Sequence, residues 1–384
     1  MATSESSKSC SKGHLEELAS EITTLIEHAT PAAKTSSPTT CWSTNSEEMG
    51  VALTVLSAAG SSIHDGVTRF NLVYKGNPGE AASASMAKEM GGFCQQMVSS
   101  FTLLSSVGAS KSMVMYLSAA VRTVLLSLKD LVHALLDPSR HSHVNSYTGV
   151  VWQVCKELQQ APKSNKLACR RQMMQWSVMM KDTIDEFQEA AKTAAAANAD
   201  KSDAPGDAQA LGEELSGLSL GGDGAGGEDD FDFNNMDEEY SPSELQCVTA
   251  SIDVLRAFRR CLKAANDALN TLDSAQPQGE DAAGVESKGA NWLEGRLQWA
   301  QEVQACLEEA HECAGDLAMQ LYPPLDSSEL SGRADDLGRK LASFCDVFYT
   351  RGEEGKVEAG QEQSPLRTLV EDKLGVLRTG MAQL

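Results

Sequence analysis

Apolar residues return every three or four positions along most of this chain, and that one period constrains the fold more than anything else in it. Between positions 110 and 136 the stride runs Met113, Leu117, Ala120, Val124, Leu128, Leu131 and Leu135. Residues so spaced lie on one face of an α-helix. No stretch shows the apolar–polar alternation of a strand. Residues 113–136 are the longest apolar region, but Arg122, Lys129 and Asp130 interrupt them. A membrane span needs about 20 mostly apolar residues, so this region reads as a buried or amphipathic helix.

The same pattern predicts ten helices. The first covers 14–29 on Leu15, Leu18, Ile22 and Leu25, and Pro31 and Pro38 follow it. The second covers 46–74 on Ala52, Val55, Ala59, Ile63, Val67 and Phe70. Asn77-Pro78-Gly79 then makes a turn. The third, 80–107, carries Met86, Met90, Phe93, Met97, Phe101 and Leu104, with Gly108 as its C-terminal cap. After the fourth, 110–136, come 142–160 on Val144, Tyr147, Val151, Val154 and Leu158, and 164–197 on Leu167, Met174, Met180, Ile184 and Phe187. Four more follow, over 243–272, 291–321, 328–349 and 365–384. Tyr322-Pro323-Pro324 ends the second of these four, because proline lacks the N–H a helix needs.

Composition breaks this rhythm once. Residues 200–239 are dominated by Gly, Asp, Glu and Ser, with Lys201 as their only base and Leu211, Leu215, Leu218 and Leu220 as their main apolar content, and the most acidic part is EDDFDFNNMDEEY at 228–240. Such a segment cannot bury enough apolar area to offset its ordering entropy. The chain has 384 residues, and a single core stops growing at roughly 250–300. The expected layout is therefore all-α, with two antiparallel helical bundles. A disordered N-terminus covers 1–13 and a bundle of five to six helices covers 14–198. A disordered acidic Gly-rich linker covers 199–242, and a four-helix bundle covers 243–384.

The net charge is −22 with a pI near 4.7. That field repels phosphate backbones and anionic membrane surfaces, so direct nucleic-acid and membrane binding are not expected. It suits basic protein partners. Ten cysteines, none in a CxxC pair, sit mostly at small apolar helix positions, as reduced thiols do in cytosolic or nuclear proteins. Residues 1–12 are Ser-rich and lack the apolar core of a signal peptide.

Candidate chemistry is sparse. His141-Ser142-His143 follows Pro138 in a loop with no cysteine nearby in sequence, and a zinc site wants three or four ligands. Cys306 and Cys313 are two helical turns apart, flanking His311, and fit an apolar seam better than a metal site. There is no G-x-S-x-G elbow, no Walker loop and no H-E-x-x-H. The glycine run at 221–227 follows no strand and opens no helix. Asp182, Asp185 and Glu186 read as solubilising charge, and Arg259-Arg260 with Lys263 and Lys166 with Arg170-Arg171 as salt-bridge partners. No catalytic residue, cofactor or metal site is expected, and the chain reads as no enzyme. Ser37-Pro38, Ser241-Pro242 and Ser364-Pro365 are proline-directed dipeptides. Ser241, beside the acidic segment, is the candidate phosphorylation site.

One ordered set of short motifs goes further. Val151-Trp152 with Cys155, Pro162-Lys163-Ser164-Asn165-Lys166, Cys261-Leu262-Lys263 and residues 317–324, ending in Tyr322-Pro323-Pro324, surround an acidic centre. In this order they resemble the cyclin-D-binding protein family. Trp152, Asn165, Lys166, Tyr322, Pro323 and Pro324 carry the resemblance and read as structural. It implies two helical bundles in the style of α-catenin and vinculin, residence in nucleus and cytoplasm, and binding to D-type cyclins with damping of cell-cycle progression. It further implies binding to helix-loop-helix transcription factors by a protein lacking a basic region. The alternative is an α-catenin-like structural adaptor for cytoskeletal or adhesion partners. That role would want a basic patch on the last helix, where Arg367, Lys373 and Arg378 stand against Glu371 and Asp372.

Overall fold

In a computed structural model, residues 2–30, 46–76, 79–202, 240–270, 286–352 and 365–384 are described. Among them the chain is all-α, with ten helices and no strand. The helices are α1 Ala2–His28, α2 Ser46–Lys75, α3 Glu80–Ser106, α4 Lys111–Leu136, α5 Val144–Gln159, α6 Asn165–Ser202, α7 Pro242–Asn270, α8 Glu286–Met319, α9 Ser327–Gly352 and α10 Pro365–Met381. A 3₁₀ turn, Pro138–His143, joins α4 to α5. Helix α1 begins well before position 14, α6 continues to Ser202, and α8 begins at Glu286, ahead of the expected position 291. Most of the acidic linker, the glycine run, Ser37-Pro38 and Ser364 lie outside the described residues.

The helix ends follow local chemistry. Ser110 caps α4 by accepting the Met113 N–H on its hydroxyl at 3.2 Å. Gly108, at φ 93°, takes the left-handed conformation that turns the chain from α3 into α4. Asp137 accepts from the Ser139 N–H at 2.9 Å and starts the 3₁₀ turn just after Leu136.

The chain packs into two compact units. Unit 1 comprises residues 1–175 and 266–304, and unit 2 comprises 176–265 and 305–384. The division thus falls inside α6, α7 and α8 rather than at the acidic segment. In unit 1 five helices close a ring: α1 packs on α3, α3 on α2, α2 on α5, α5 on α4, and α4 back on α1. Ile22, Ile63, Phe70, Met97, Leu104, Met113, Leu128, Val151 and Cys155 fill it. Each fully buried aliphatic side chain contributes about 1.5–3 kcal/mol.

Unit 2 is built from the C-terminal part of α6, most of α7, the end of α8, and α9 packed on α10. Phe187, Leu255, Phe258, Leu317, Leu337, Leu341, Phe344 and Leu377 are its buried core residues.

Two seams are phased differently from their sequence reading. In α2, Leu56 is buried and Val55 only half-buried. In α6, Leu167 and Met174 point to solvent, while Ala168, Cys169 and Met173 are buried. Helix α6 is apolar on more than one face, so neighbouring residues offer two overlapping strides, and packing selects one.

Candidate functional site

Four of the singled-out residues meet in unit 2, where α7 begins. Ser241 is the residue before the helix, and its hydroxyl accepts the Glu244 N–H at 3.3 Å. Glu244 answers by accepting the Ser241 N–H on Oε2 at 2.7 Å. Pro242 occupies the first helical position, where no N–H is missed. The result is a reciprocal capping box. The second oxygen of the same carboxylate, Oε1, accepts the Leu325 N–H at 2.9 Å. One side chain therefore ties the start of α7 to the turn that leaves α8.

Further contacts fasten that turn. Tyr322-Pro323-Pro324 cannot continue α8, which leaves helix-terminal carbonyls open. The buried Tyr240 hydroxyl donates to the Leu321 carbonyl at 2.7 Å. The Tyr322 hydroxyl donates to Glu186 Oε1 at 2.8 Å, and its ring leans on Phe187 with centroids 5.1 Å apart. The segment from Leu321 to Leu325 is thus held at its first carbonyl, its tyrosine and its last N–H.

The electrostatics follow from these contacts. Burial works to raise the Glu244 carboxyl, but the hydrogen bonds from Leu325 and Ser241 outweigh it and hold it below the ordinary carboxylate range. Burial pushes the Tyr240 phenol up to about 12, with Tyr322, Glu244 and Glu186 adding to it. The hydrogen bond to Glu186 raises the Tyr322 phenol.

Trp152, Asn165 and Lys166 belong to unit 1. Asn165 donates from Nδ2 to the Gly108 carbonyl at 3.0 Å and accepts the Ser110 N–H on Oδ1 at 2.7 Å. Lys166 donates to the carbonyl of Asn270 at 3.1 Å, at the C-terminal end of α7, where a cation suits the helix dipole. Trp152 is 38% exposed on α5, its ring 6.2 Å from that of His64 on α2.

The remaining candidates have ordinary partners. His141 Nε2 lies 3.1 Å from the Leu135 carbonyl. His311 stacks on Trp176 at 5.1 Å and on Phe258 at 6.3 Å. Arg259 donates to the Ser177 carbonyl at 3.1 Å, and Arg170 to Asn266 and Asn270 at 3.1 and 2.8 Å, so these bases hold backbone and amide groups rather than carboxylates. Among the described residues no group of three His, Cys, Asp or Glu is placed to hold a metal ion. No helix among them is long and apolar enough to cross a membrane.

The sequence did not single out Tyr240 or Glu244, and Glu186, read as solubilising charge, instead accepts the Tyr322 hydroxyl. The signal for Glu244 was present, since Ser241-Pro242-Ser243-Glu244 has the spacing of a capping box with proline at the first helical position. Nothing local marks Glu186, whose tyrosine partner lies 136 positions away.

Residues 55–193 match the family model described as Grap2 and cyclin-D-interacting, N-terminal. The chain is also similar to the cyclin-D1-binding protein 1 homolog of Danio rerio, at 24% identity over 230 residues. That match covers 60% of this chain and 56% of the relative, so the chain spans a little over half the length of the curated relative it matches.

Proposed function

We propose, from the match of residues 55–193 to the Grap2 and cyclin-D-interacting family model, that this chain is a non-enzymatic regulatory protein that binds a D-type cyclin through a helix face. The observation that carries the reading is the match itself, which covers most of α2, all of α3, α4 and α5, and most of α6. These helices also present exposed apolar side chains, Leu72, Met115, Leu126, Val150 and Trp152, which suit docking of a partner helix. The same reading includes binding to helix-loop-helix transcription factors, negative regulation of cell-cycle progression and transcription, and residence in both nucleus and cytoplasm.

Titration calorimetry of the purified full chain against a purified D-type cyclin tests it. Saturable binding that survives physiological salt is the expected result. Absence of binding with both proteins folded would remove the cyclin reading. The structural-adaptor reading lacks its basic patch. Arg367 pairs with Asp346 and Glu371, Lys373 with Asp253, and Arg378 with Asp335, so the bases of α10 are engaged within unit 2.

A further inference from the structure

The clamp at the start of α7 has its charge in an unusual place. Glu244 does two things with one carboxylate, capping α7 through Ser241 and holding the Leu325 N–H. Its partner in the cap, Ser241, is followed by proline, so it carries the dipeptide read by proline-directed kinases. Ser241 is half-buried and lies just outside the helix, where fraying of a single turn presents it.

We infer that Ser241 is a phosphorylation site for a proline-directed serine/threonine kinase, and that its phosphate releases the 321–325 turn from α7 by displacing Glu244. In the transfer, Ser241 Oγ forms a bond to the γ-phosphorus of ATP. The bond from that phosphorus to the β–γ bridging oxygen breaks, and ADP leaves with the electron pair. The hydroxyl proton passes to the kinase's base.

The consequence follows from charge. A phosphoserine carries about −1.5 to −2 at neutral pH and three strong acceptor oxygens. At the N-terminus of α7 it satisfies the free N–H groups of the first turn as well as the hydroxyl did. It cannot share that turn with a carboxylate that sits against the Ser241 N–H. Glu244 swings away, α7 keeps a cap, and the Leu325 N–H loses its acceptor. The Tyr240–Leu321 and Tyr322–Glu186 bonds remain, so the turn loosens at its Leu325 end rather than unfolding. None of these contacts depends on which protein the chain binds.

The test is to phosphorylate the full chain with a proline-directed kinase and ATP, map the phosphate by mass spectrometry, and follow amide exchange. Phosphate is expected at Ser241. Exchange of the Leu325 amide should become roughly fivefold faster, as for loss of one ordinary hydrogen bond. Amides in the first turn of α7 should keep their protection. Ser241→Ala should take no phosphate at this position. Glu244→Gln preserves capping geometry but not the charge, so its phosphorylated form should retain Leu325 protection. The proposal is overturned if the kinase phosphorylates a peptide of residues 236–247 but not the native chain. It is equally overturned if phosphate at Ser241 leaves Leu325 exchange unchanged, or if Glu244→Gln loosens to the same extent as the parent.

Discussion

Asn165 closes the turn beside Gly108: its side-chain amide donates to the Gly108 carbonyl at 3.0 Å while its oxygen takes the Ser110 N–H at 2.7 Å. One residue at the start of α6 thereby satisfies two buried backbone groups that the turn from α3 to α4 leaves open. Asn165→Ala strands both, and each buried unsatisfied group costs about 1–3 kcal/mol. The expected loss is about 2–4 kcal/mol, measured as a lower urea midpoint. Asn165→Asp keeps the acceptor but sets a buried carboxylate oxygen against the Gly108 carbonyl, so it should be no more stable than the alanine variant at neutral pH.

Adjacent methionines in α6 give the sharpest check on helix phase. Met173 is 1% exposed and Met174 59%. Met173→Ala should cost about 2–5 kcal/mol, in the range for a buried methionine, and Met174→Ala less than about 0.5 kcal/mol. A reversed order in thermal or urea melts would restore the phase read from the sequence.

Those two residues also show where sequence reading stops. Helices α3 and α4 were legible because each bears one apolar stripe and a turn residue at its end, and Gly108 and Ser110 sit where the period places them. Helix α6 was legible as a helix but not in phase, because Leu167, Met173, Met174, Val178, Met179 and Met180 supply apolar positions all around it. For the candidate site, Ser241 and Tyr322-Pro323-Pro324 were visible as punctuation and as resemblance. Their meeting was not, since it depends on Glu244 reaching a residue 81 positions away.

The division into units makes a prediction about cutting the chain. Unit 1 draws on residues 1–175 and 266–304, and unit 2 on 176–265 and 305–384. Chains of residues 1–202 and 240–384 therefore each hold part of both units. Expressed alone, 1–202 keeps the whole α1–α5 ring and should unfold cooperatively, whereas 240–384 lacks the α6 part of unit 2 and should not; co-expressed, they should copurify and the second should regain helical content by circular dichroism. Two autonomous, separately stable fragments would favour the layout of one bundle on each side of the acidic segment.

His311 should shape the acid limb of stability. Burial holds its imidazole below the ordinary histidine range, against the opposing pull of Glu308, and its buried Nδ1 has no hydrogen-bond partner among the described residues. Because the folded value is depressed, the unfolded chain binds the proton first. Its contribution is fully present above the unfolded pKa of about 6.5 and is lost as pH falls from there through the folded value. His311→Phe keeps the stacking on Trp176 and Phe258 and cannot titrate. Its stability should fall less steeply than the parent's below about pH 6.5, measured by urea melts across that range. Identical slopes would mean His311 titrates normally in the folded chain.

The packing of α9 on α10 rests on a glycine. A Cβ built on Gly338 would stand 2.6 Å from Leu374 Cδ1, closer than real carbon atoms approach. Two effects oppose each other in Gly338→Ala. Replacing an interior helical glycine gains about 1 kcal/mol in propensity. Forcing the buried Leu374 side chain out of its place costs about 1–3 kcal/mol. The clash should win, giving a net loss of about 1 kcal/mol. Leu374→Val shortens the chain at the point of contact and costs stability alone, yet in the Gly338→Ala background it makes room for the new methyl. The double variant should therefore be more stable than the sum of the single losses predicts, by about 1 kcal/mol in a double-mutant cycle. Additive losses would mean that α9 and α10 move apart instead of sharing that contact.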